Sequence, residues 1–442
     1  MKIDLRKGLD IRLAGEIKDS GVADVEPSEC AVFPSDYPGL KPKLDVREGD
    51  TVEVGTPLLH DKTYPQISLV SPVSGTVKAI IRGERRKVLA VIVSNDRQGR
   101  RRAVDTSLPL IDLLCASGLF AMMRRRPFDA LPRPDSVPRD IFITAFDSAP
   151  LAAAMLSALG PDASRCMAAA VDALSALTPG RVFISVRPGT ELPPLPSATV
   201  VEVAGPHPAG NVGIQIANIA PVNKGEEVWT LDAVTLCRIG RLLLDGLLDV
   251  SATVALVGPE VERPAMLRTV IGASINDVID GRLKNDGVAK RVISGNVLSG
   301  TAVTDSTDAF LHFPLRQVTV IADGADCDEF MGWASLSPRK LSVSRTFPFS
   351  RLTRRFSPDA RINGSPRAMI MSGEYDRVLP ADILPEFLIK AIISRNLEDM
   401  EGLGIYEVAP EDFALCEFVD TSKLPLQQIV RDGLDFMMAE AD

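Results

Sequence analysis

A histidine between two prolines is the sharpest chemical feature of this sequence. His207 lies in GPHPAGN, residues 205–211. Because proline fixes φ, the imidazole would be held rigidly. A neutral or protonated imidazole could hydrogen-bond a ligand carbonyl and supply a proton as that ligand is reduced. A simple turn, in which His207 bonds a nearby backbone carbonyl, explains the same pattern, and this interpretation is favoured.

A second candidate combines arginine with phenylalanine. The segment RTFPFSRLTRRF, residues 345–356, interleaves four arginines with three phenylalanines. Arg345 and Phe347 could stack on a planar ring, or the segment could bind an anionic surface. A solvated face with some buried phenylalanines is the commoner explanation. With the runs Arg124–Arg126 and Arg100–Arg102, this local positive charge favours docking to a membrane protein or to lipid headgroups.

A lysine, Lys62, occurs where a carrier domain would present its modified side chain. The stretch DKTYPQISLVSPVSGTVKAI, residues 61–80, is similar to the hairpin half of a lipoyl- or biotin-carrier domain. A modified lysine must stand at the tip of a tight hairpin, at a short fixed distance from the following strand. Here TYPQISLV includes a proline and lengthens that spacing, and the usual flanking residues are missing. We therefore predict a carrier-like fold without a swinging arm.

Composition excludes several classes of protein. The six cysteines and three histidines are scattered, which argues against a disulfide framework or a local metal site. A net charge of −9 argues against nucleic-acid binding as the main task. The sequence has no run of about 18 apolar residues and no signal peptide, so we expect a cytoplasmic chain.

These candidates must be positioned by several domains, because single cores stop growing well below 442 residues. The pattern predicts an α/β multidomain protein. Residues 1–105 alternate apolar and charged residues between turns, which predicts a carrier-like β-sandwich of the barrel-sandwich hybrid type. Residues 106–257 alternate strands with helices, including PLAAAMLSALG as a helix and SATVALVG as the last strand, which predicts a Rossmann-like parallel sheet. Residues 258–330 predict a small β-grasp module similar to SLBB domains, and residues 331–442 a mostly helical C-terminal region.

The predicted sheet lacks the glycines that a nucleotide site needs. A pyrophosphate site requires a glycine-rich turn between strand and helix, because only glycine lets backbone amides approach the phosphates. After DIFITAF stands DSAPLAAAMLSALG, with no glycine in the turn, and RVFISV leads into the proline-rich RPGTELPPLP. A sheet that packs and orients other groups is the favoured interpretation.

Across essentially its whole length the chain resembles the NqrA family, the A subunits of the bacterial Na⁺-translocating NADH:quinone oxidoreductase (the Nqr complex). The stretches that carry the resemblance are KGLDIRLAG, RRPF at 125–128, LSAL at 174–177, GPHPAG, RTVIGASINDVID, RVISGNVLSGT, GWA at 332–334, SVSRTF and DFALCEFV. More weakly, it resembles the C subunit of the RNF electron-transport complex and the flavoprotein subunit of respiratory complex I. Those relatives have a glycine-rich flavin loop where this chain has SGLFAMMRRRPF, with Gly118 alone. The C-terminal region resembles a ferredoxin-like tail, but Cys416 stands alone, and one thiolate cannot hold an iron–sulfur cluster.

The resemblance implies a peripheral protein on the cytoplasmic face of the bacterial inner membrane, docked chiefly to NqrB, the membrane-embedded B subunit. Its complex would couple NADH oxidation and the reduction of ubiquinone or menaquinone to Na⁺ export. NADH, FAD, FMN and iron–sulfur sites would lie on other subunits, with no cofactor or metal on this chain. His207, Asn211, Arg345 and Phe347 are then candidates for quinone contact, and no residue is identified as catalytic. A purely structural scaffold and a free-standing NADH-oxidising flavoprotein are the alternatives, the second disfavoured by the missing glycines.

Overall fold

The structure, a computed structural model, describes residues 1–18, 21–324, 341, 354–362 and 364–441. The described strands are β1 (Lys2–Asp4), β2 (Val22–Asp24), β3 (Glu29–Val32), β4 (Pro42–Leu44), β5 (Thr51–Val52), β6 (Pro57–Asp61), β7 (Ser68–Val70), β8 (Gly75–Arg82), β9 (Val88–Asn95), β10 (Arg124–Arg126), β11 (Ile141–Thr144), β12 (Val182–Val186), β13 (Ala198–Ala204), β14 (Val228–Asp232), β15 (Ser251–Val257), β16 (Ala265–Val270), β17 (Lys290–Ser294), β18 (Thr301–Ala302) and β19 (Gln317–Ala322). The described α-helices are α1 (Leu110–Ala116), α2 (Ala163–Ser175), α3 (Val212–Ile219), α4 (Ala233–Asp245), α5 (Ile275–Ile279), α6 (Tyr375–Val378), α7 (Pro385–Ser394), α8 (Leu397–Gly402), α9 (Ala414–Val419) and α10 (Leu426–Ala441).

The predicted β-sandwich is present in the first hundred residues. A four-stranded antiparallel sheet, β3-β9-β8-β5, faces a three-stranded antiparallel sheet, β4-β6-β7. Successive side chains of a strand point to opposite faces. Val91 and Val93 of β9 accordingly lie in the main core, whereas Ala90 and Ile92 pack with Phe310 of a later module. Both faces of this strand are therefore buried.

The predicted parallel sheet has the order β1-β13-β12-β11-β14-β10. Neighbours are parallel except for β10, which runs antiparallel to β14 at one edge. Strand β12 is buried along its whole length, as expected where both faces of a parallel sheet are covered. The sequence did not indicate β10, β14 or α3. The helix predicted over PLAAAMLSALG is wrong, since this stretch contains only a single 3₁₀ turn at Met155–Ala158.

Two layers of helices cover the parallel sheet. Ile141 and Ile143 of β11 share a core with residues of α2 and α4. Phe142, which points to the opposite face, stacks on Phe183 and shares a second core with the C-terminal helices. The predicted helical C-terminal region therefore packs on the sheet as its third layer. Within the described residues, no helix is both long and apolar enough to cross a membrane.

A second six-stranded sheet, β18-β17-β19-β15-β16-β2, forms the module after the parallel sheet. Its β15 is the SATVALVG strand, which the sequence pattern assigned to the parallel sheet. It instead pairs antiparallel with β16 and parallel with β19, because the sheet that a strand joins depends on distant pairing partners. The first residues of the chain also leave the sandwich, since β1 extends the parallel sheet and β2 the second sheet. The domain limits at 105, 257 and 330 stay predictions.

Candidate functional site

A cleft of about 400 Å³ lies at the carboxyl edge of the parallel sheet. In open α/β sheets, ligands bind outside the carboxyl ends of the strands. Here β11 leads to Phe146 and Asp147, β13 to His207 and Gly210, and β14 ends at Asp232, all of which line the cleft. The sandwich, the second sheet and the C-terminal helices complete its walls with Asp36, Phe313 and Glu411, among others.

His207 is buried and firmly held in this cleft. Its residue is 4% exposed, and its backbone N–H donates to Asp10 Oδ1 at 2.9 Å. Its Nδ1 lies 3.0 Å from Ser148 Oγ, which accepts the Gly210 N–H at 2.7 Å. The serine hydroxyl can donate its proton to Nδ1, and in that arrangement the imidazole proton is on Nε2. The neighbour that His207 bonds is therefore a side-chain hydroxyl and not the expected backbone carbonyl.

The pKa of His207 is lowered. Burial is the main cause, and the nearby Arg187 acts in the same direction, while the charges of Asp147 and Asp10 oppose it. The imidazole is consequently neutral at pH 7. A neutral ring can donate a hydrogen bond to a carbonyl. It does not carry the second ring proton of a protonated imidazole, which the sequence had left open as an alternative.

Asn211 lies at the N-cap position of α3, but its amide is committed to the C-terminal region. Its Nδ2 donates to the Glu411 carbonyl at 3.0 Å and lies 3.4 Å from Asp412 Oδ1. Arg345 and Phe347, the other two predicted site residues, lie outside the described residues. The structure therefore brings His207 and Asn211 together at one cleft and leaves the other two untested.

One buried ionic cluster in the cleft was not predicted from the sequence. The side chain of Arg126 is 3% exposed, with Nη2 3.3 Å from Glu411 Oε1 and Nη1 3.7 Å from Asp412 Oδ2. Its Nε lies 3.6 Å from Asp129 Oδ1. The signal for this cluster was PEDF, residues 410–413, in which two carboxylates follow a proline inside an apolar stretch.

The two carboxylates of the cluster hold protons more tightly than usual. Burial, and for Glu411 the charge of the adjacent Asp412, raise the pKa of both, while Arg126 opposes the shift. The side chain of Glu411 is nevertheless 46% exposed, so water in the cleft limits its shift. The side chain of Asp412 is only 2% exposed, so water does not limit the shift of its pKa in this way.

The basic run Arg124–Arg126 is not the docking surface that its composition suggested. Arg125 is 6% exposed and Arg126 2%, although β10 is an edge strand, and Arg126 is enclosed by Asp129 and the C-terminal layer. Arg124 lines the cleft, donates to three backbone carbonyls and lies over the rings of Tyr37 and Phe313 at 5.7 and 5.9 Å. Phe146, Phe313 and Met155 give the cleft an apolar wall. In the other two basic segments, the described arginines, Arg100–Arg102 and Arg354–Arg355, are exposed.

Lys62 lies exposed in the connection between β6 and β7. The neighbouring Asp61 organises this turn, because its carboxylate accepts the backbone N–H groups of Lys41, Thr63 and Tyr64 at 2.6 to 2.8 Å. Over the described part of the chain, no group of three or more His, Cys, Asp or Glu side chains is arranged to hold a metal ion. The five described cysteines are buried and unpaired, and Cys327 lies outside the described residues.

Comparison with domain families divides the chain much as its sheets do. Residues 3–96 match the NqrA N-terminal barrel-sandwich hybrid domain, residues 107–248 the NqrA second alpha/beta domain, and residues 253–305 the C-terminal NQRA SLBB domain. Among solved structures, a chain of an NAD⁺-reducing NiFe-hydrogenase in the H₂-reduced state matches with a TM-score of 0.35 and 13% identity. That match covers 69% of this chain and 55% of the other. A TM-score this low supports no conclusion about a shared fold or function.

Curated relatives match over nearly the whole length. The A subunit of the Na(+)-translocating NADH-quinone reductase of Serratia proteamaculans is 37% identical, over 98% of each chain. The proteins of the same name from Rhodopirellula baltica and Neisseria meningitidis serogroup B are 35% and 34% identical. The first match covers 97% of this chain and 96% of the relative, the second 99% and 100%. Together with the matching domains, this similarity shows that the chain belongs to the NqrA family, the A subunits of the Na⁺-translocating NADH-quinone reductase.

Proposed function

We propose that this chain is the peripheral A subunit of a Na⁺-translocating NADH-quinone reductase and that it docks chiefly to the membrane-embedded B subunit on the cytoplasmic face. The cleft at the carboxyl edge of its parallel sheet would form part of the quinone-binding site. Membership of the family supports the subunit role, since the relatives bear that name. The cleft supports the quinone role, because it combines an apolar wall with polar groups at its base. Electrons would come from NADH through flavin and iron–sulfur groups on other subunits.

The single observation that carries the quinone assignment is the buried His207, bonded to Ser148, beside the apolar wall of the cleft. Quinone reduction adds two electrons and two protons to the ring, so a quinone site needs hydrogen-bond donors at the carbonyls and a source of protons. With Nδ1 occupied by Ser148, the Nε2–H of His207 is the donor for one carbonyl. Glu411, which lines the same cleft and whose pKa is raised chiefly by burial, is the candidate acid for delivering a proton.

The quinone role is tested by His207→Ala in the assembled complex, because alanine has no side-chain donor. Loss of a hydrogen bond from a well-placed buried donor costs about 1.4 kcal/mol, which is a tenfold effect. We expect the KM for a short-chain ubiquinone analogue to rise about tenfold. NADH oxidation with an artificial electron acceptor should stay unchanged. His60→Ala, which alters a histidine in the sandwich, is the matched control.

Quinone KM and turnover equal to wild type in His207→Ala would remove His207 from the site. A scaffold role is the second candidate, because Asn211 and Asp412 are already engaged in bonds within the chain. Calorimetric titration of the isolated protein with the same analogue separates the two. Saturable binding that His207→Ala weakens supports a quinone site on this chain. An unaltered quinone KM in the variant complex, with no binding to the isolated chain, supports the scaffold.

A further inference from the structure

The hairpin of β8 and β9 ends in a strongly charged tip. Strand β3 pairs with β9 as far as Val91, and β5 pairs with β8 only up to Thr76, so the far end of the hairpin extends past both neighbouring strands. The hairpin tip, residues 82–87, is positively charged although the whole chain is acidic, with a net charge of −9. It contains four cationic side chains and one carboxylate, all exposed, which are those of Arg82, Glu84, Arg85, Arg86 and Lys87.

The apex of the hairpin tip holds two arginines in a conformation that arginine disfavours. The Lys87 N–H donates to the Glu84 carbonyl at 3.0 Å and closes a four-residue turn. Its central residues, Arg85 and Arg86, have φ angles of 52° and 62°, as in the type I′ turns that join paired strands. Asparagine followed by glycine is the usual pair there, because the left-handed region strains larger side chains. The hairpin tip therefore carries two arginines where local folding favours other residues.

The charges of the hairpin tip are not neutralised within the chain. Among the residues that the structure describes, no carboxylate forms an ion pair with Arg85, Arg86 or Lys87. Arg82 Nη1 donates to the Arg86 carbonyl at 3.3 Å, a contact that supports the turn and leaves the charge of the guanidinium unpaired. The cations at the apex are thus available to an external anion.

The other exposed basic segments contrast with the hairpin tip. Arg100 forms an ion pair with Asp96, and Arg355 forms one with Glu16. Both segments had been predicted to dock to a membrane protein or to lipid headgroups, whereas the hairpin tip was not singled out from the sequence. Its signal is the left-handed conformation of two adjacent arginines, which the sequence does not show.

We propose that the hairpin tip is a contact site for anionic lipid headgroups at the membrane surface. A tip of six residues is far smaller than a specific protein interface, which has about 20–30 residues on each side. Lipid phosphates require no complementary pocket, because each cation near an anionic membrane surface is attracted separately. The strained turn then has a function, since it places two guanidinium groups at the apex. This inference depends neither on the quinone role nor on docking to the B subunit.

The experiment measures cosedimentation of the isolated full-length chain with vesicles. One set contains phosphatidylethanolamine and phosphatidylglycerol, and the other contains phosphatidylcholine alone. Wild type should bind only the anionic vesicles and should dissociate at high ionic strength, because salt screens exposed charges. The test variant is Arg85→Asn/Arg86→Gly, whose residues suit the turn, so it should melt at or above the wild-type temperature. Each cation near an anionic surface contributes about fivefold in affinity, so binding should fall about 25-fold.

The matched control is Arg97→Gly/Arg165→Gln. Arg97 also has a positive φ, 59°, and the two changes remove two exposed positive charges outside the hairpin tip. The control should bind vesicles within about twofold of wild type, because charges beyond a Debye length are screened. Lys87→Gln, which leaves both left-handed positions unchanged, should weaken binding about fivefold and gives a second test if the turn variant melts lower.

Wild type that binds anionic vesicles no better than phosphatidylcholine vesicles would overturn the proposal. Equal losses in the test variant and the control, or full binding by the test variant, would do the same. If wild type does not bind vesicles and the test variant loses the B subunit when the complex is purified, the hairpin tip contacts protein and the lipid proposal is wrong.

Discussion

The carboxylate of Asp36 joins the β-sandwich to the module built on the second six-stranded sheet. Its Oδ1 lies 2.7 Å from Nδ1 of His312, and its Oδ2 accepts the Phe313 N–H at 2.9 Å. The two side chains are 10% and 12% exposed. Asp36→Asn removes the charge and leaves one acceptor oxygen for two donors. A hydrogen bond to a charged group contributes about 1.5–3 kcal/mol and an orphaned buried donor costs about 1–3 kcal/mol, so we expect a local loss of about 2–4 kcal/mol.

The local stability lost in Asp36→Asn should depend on pH in a defined direction. Burial lowers the pKa of His312, but the hydrogen bond and the charge of Asp36, with a smaller contribution from Asp308, outweigh it, so the pKa ends above its ordinary value of 6.5. A histidine whose pKa is raised in the folded state stabilises fully below its unfolded pKa, and that contribution disappears as pH rises through the folded pKa. Asp36→Asn should therefore cost more at pH 6 than at pH 9.

Hydrogen exchange of peptides around residues 30–40 and 305–320 measures this opening locally and does not assume two-state unfolding of a multidomain chain. Rates are corrected for the intrinsic pH dependence of exchange. The control is Asp45→Asn, because Asp45 Oδ1 also lies 2.7 Å from a histidine Nδ1, that of His60, but within the sandwich and with 30% of its side chain exposed. We expect that control to cost less than about 1 kcal/mol. Equal costs for the two variants, or an Asp36→Asn cost that does not change between pH 6 and pH 9, would refute the reasoning.

Three further predictions concern single positions. Gly213→Ala should lower stability by about 1–3 kcal/mol in urea unfolding, because its Cβ meets the Asp412 carboxylate. Gly402→Ala, where a Cβ meets nothing within 4 Å, should be nearly neutral, and equal losses would contradict this account. A carboxyl with a raised pKa keeps a proton in the folded state that the unfolded chain releases, so the folded state loses stability as pH rises above 4.5. Glu411→Gln should therefore make the melting temperature decline less steeply with rising pH. An unchanged slope would count against the raised pKa of Glu411. Mass spectrometry of the peptide that contains Lys62, from protein of the native host, should show no added mass, and a lipoyl or biotinyl mass at Lys62 would show that the chain is a carrier.

Local patterns were enough to predict most of the architecture. The alternation of apolar and charged residues around Gly49 and Gly55 predicts the sandwich, because the side-chain period of a strand is a local property. Strands such as RVFISV, interleaved with helices, predict the covered parallel sheet for the same reason. It was harder to predict which sheet each strand joins. SATVALVG was assigned to the wrong sheet. Strand β1 pairs with residues 200 positions later in the chain, and β2 with residues 244 positions later.

The sequence by itself determined the sandwich, the parallel sheet and the rigid turn that holds His207 and Asn211, since each depends on residues near one another in the chain. Only the tertiary structure decided that Arg126 is buried in a cleft and not exposed on a basic surface, and that Asp412 lies on the first turn of α3. Both depend on the C-terminal helices folding back over the carboxyl edge of the sheet. Contacts between such distant segments leave no periodic signal in the sequence, because packing sets them and local conformational preference does not.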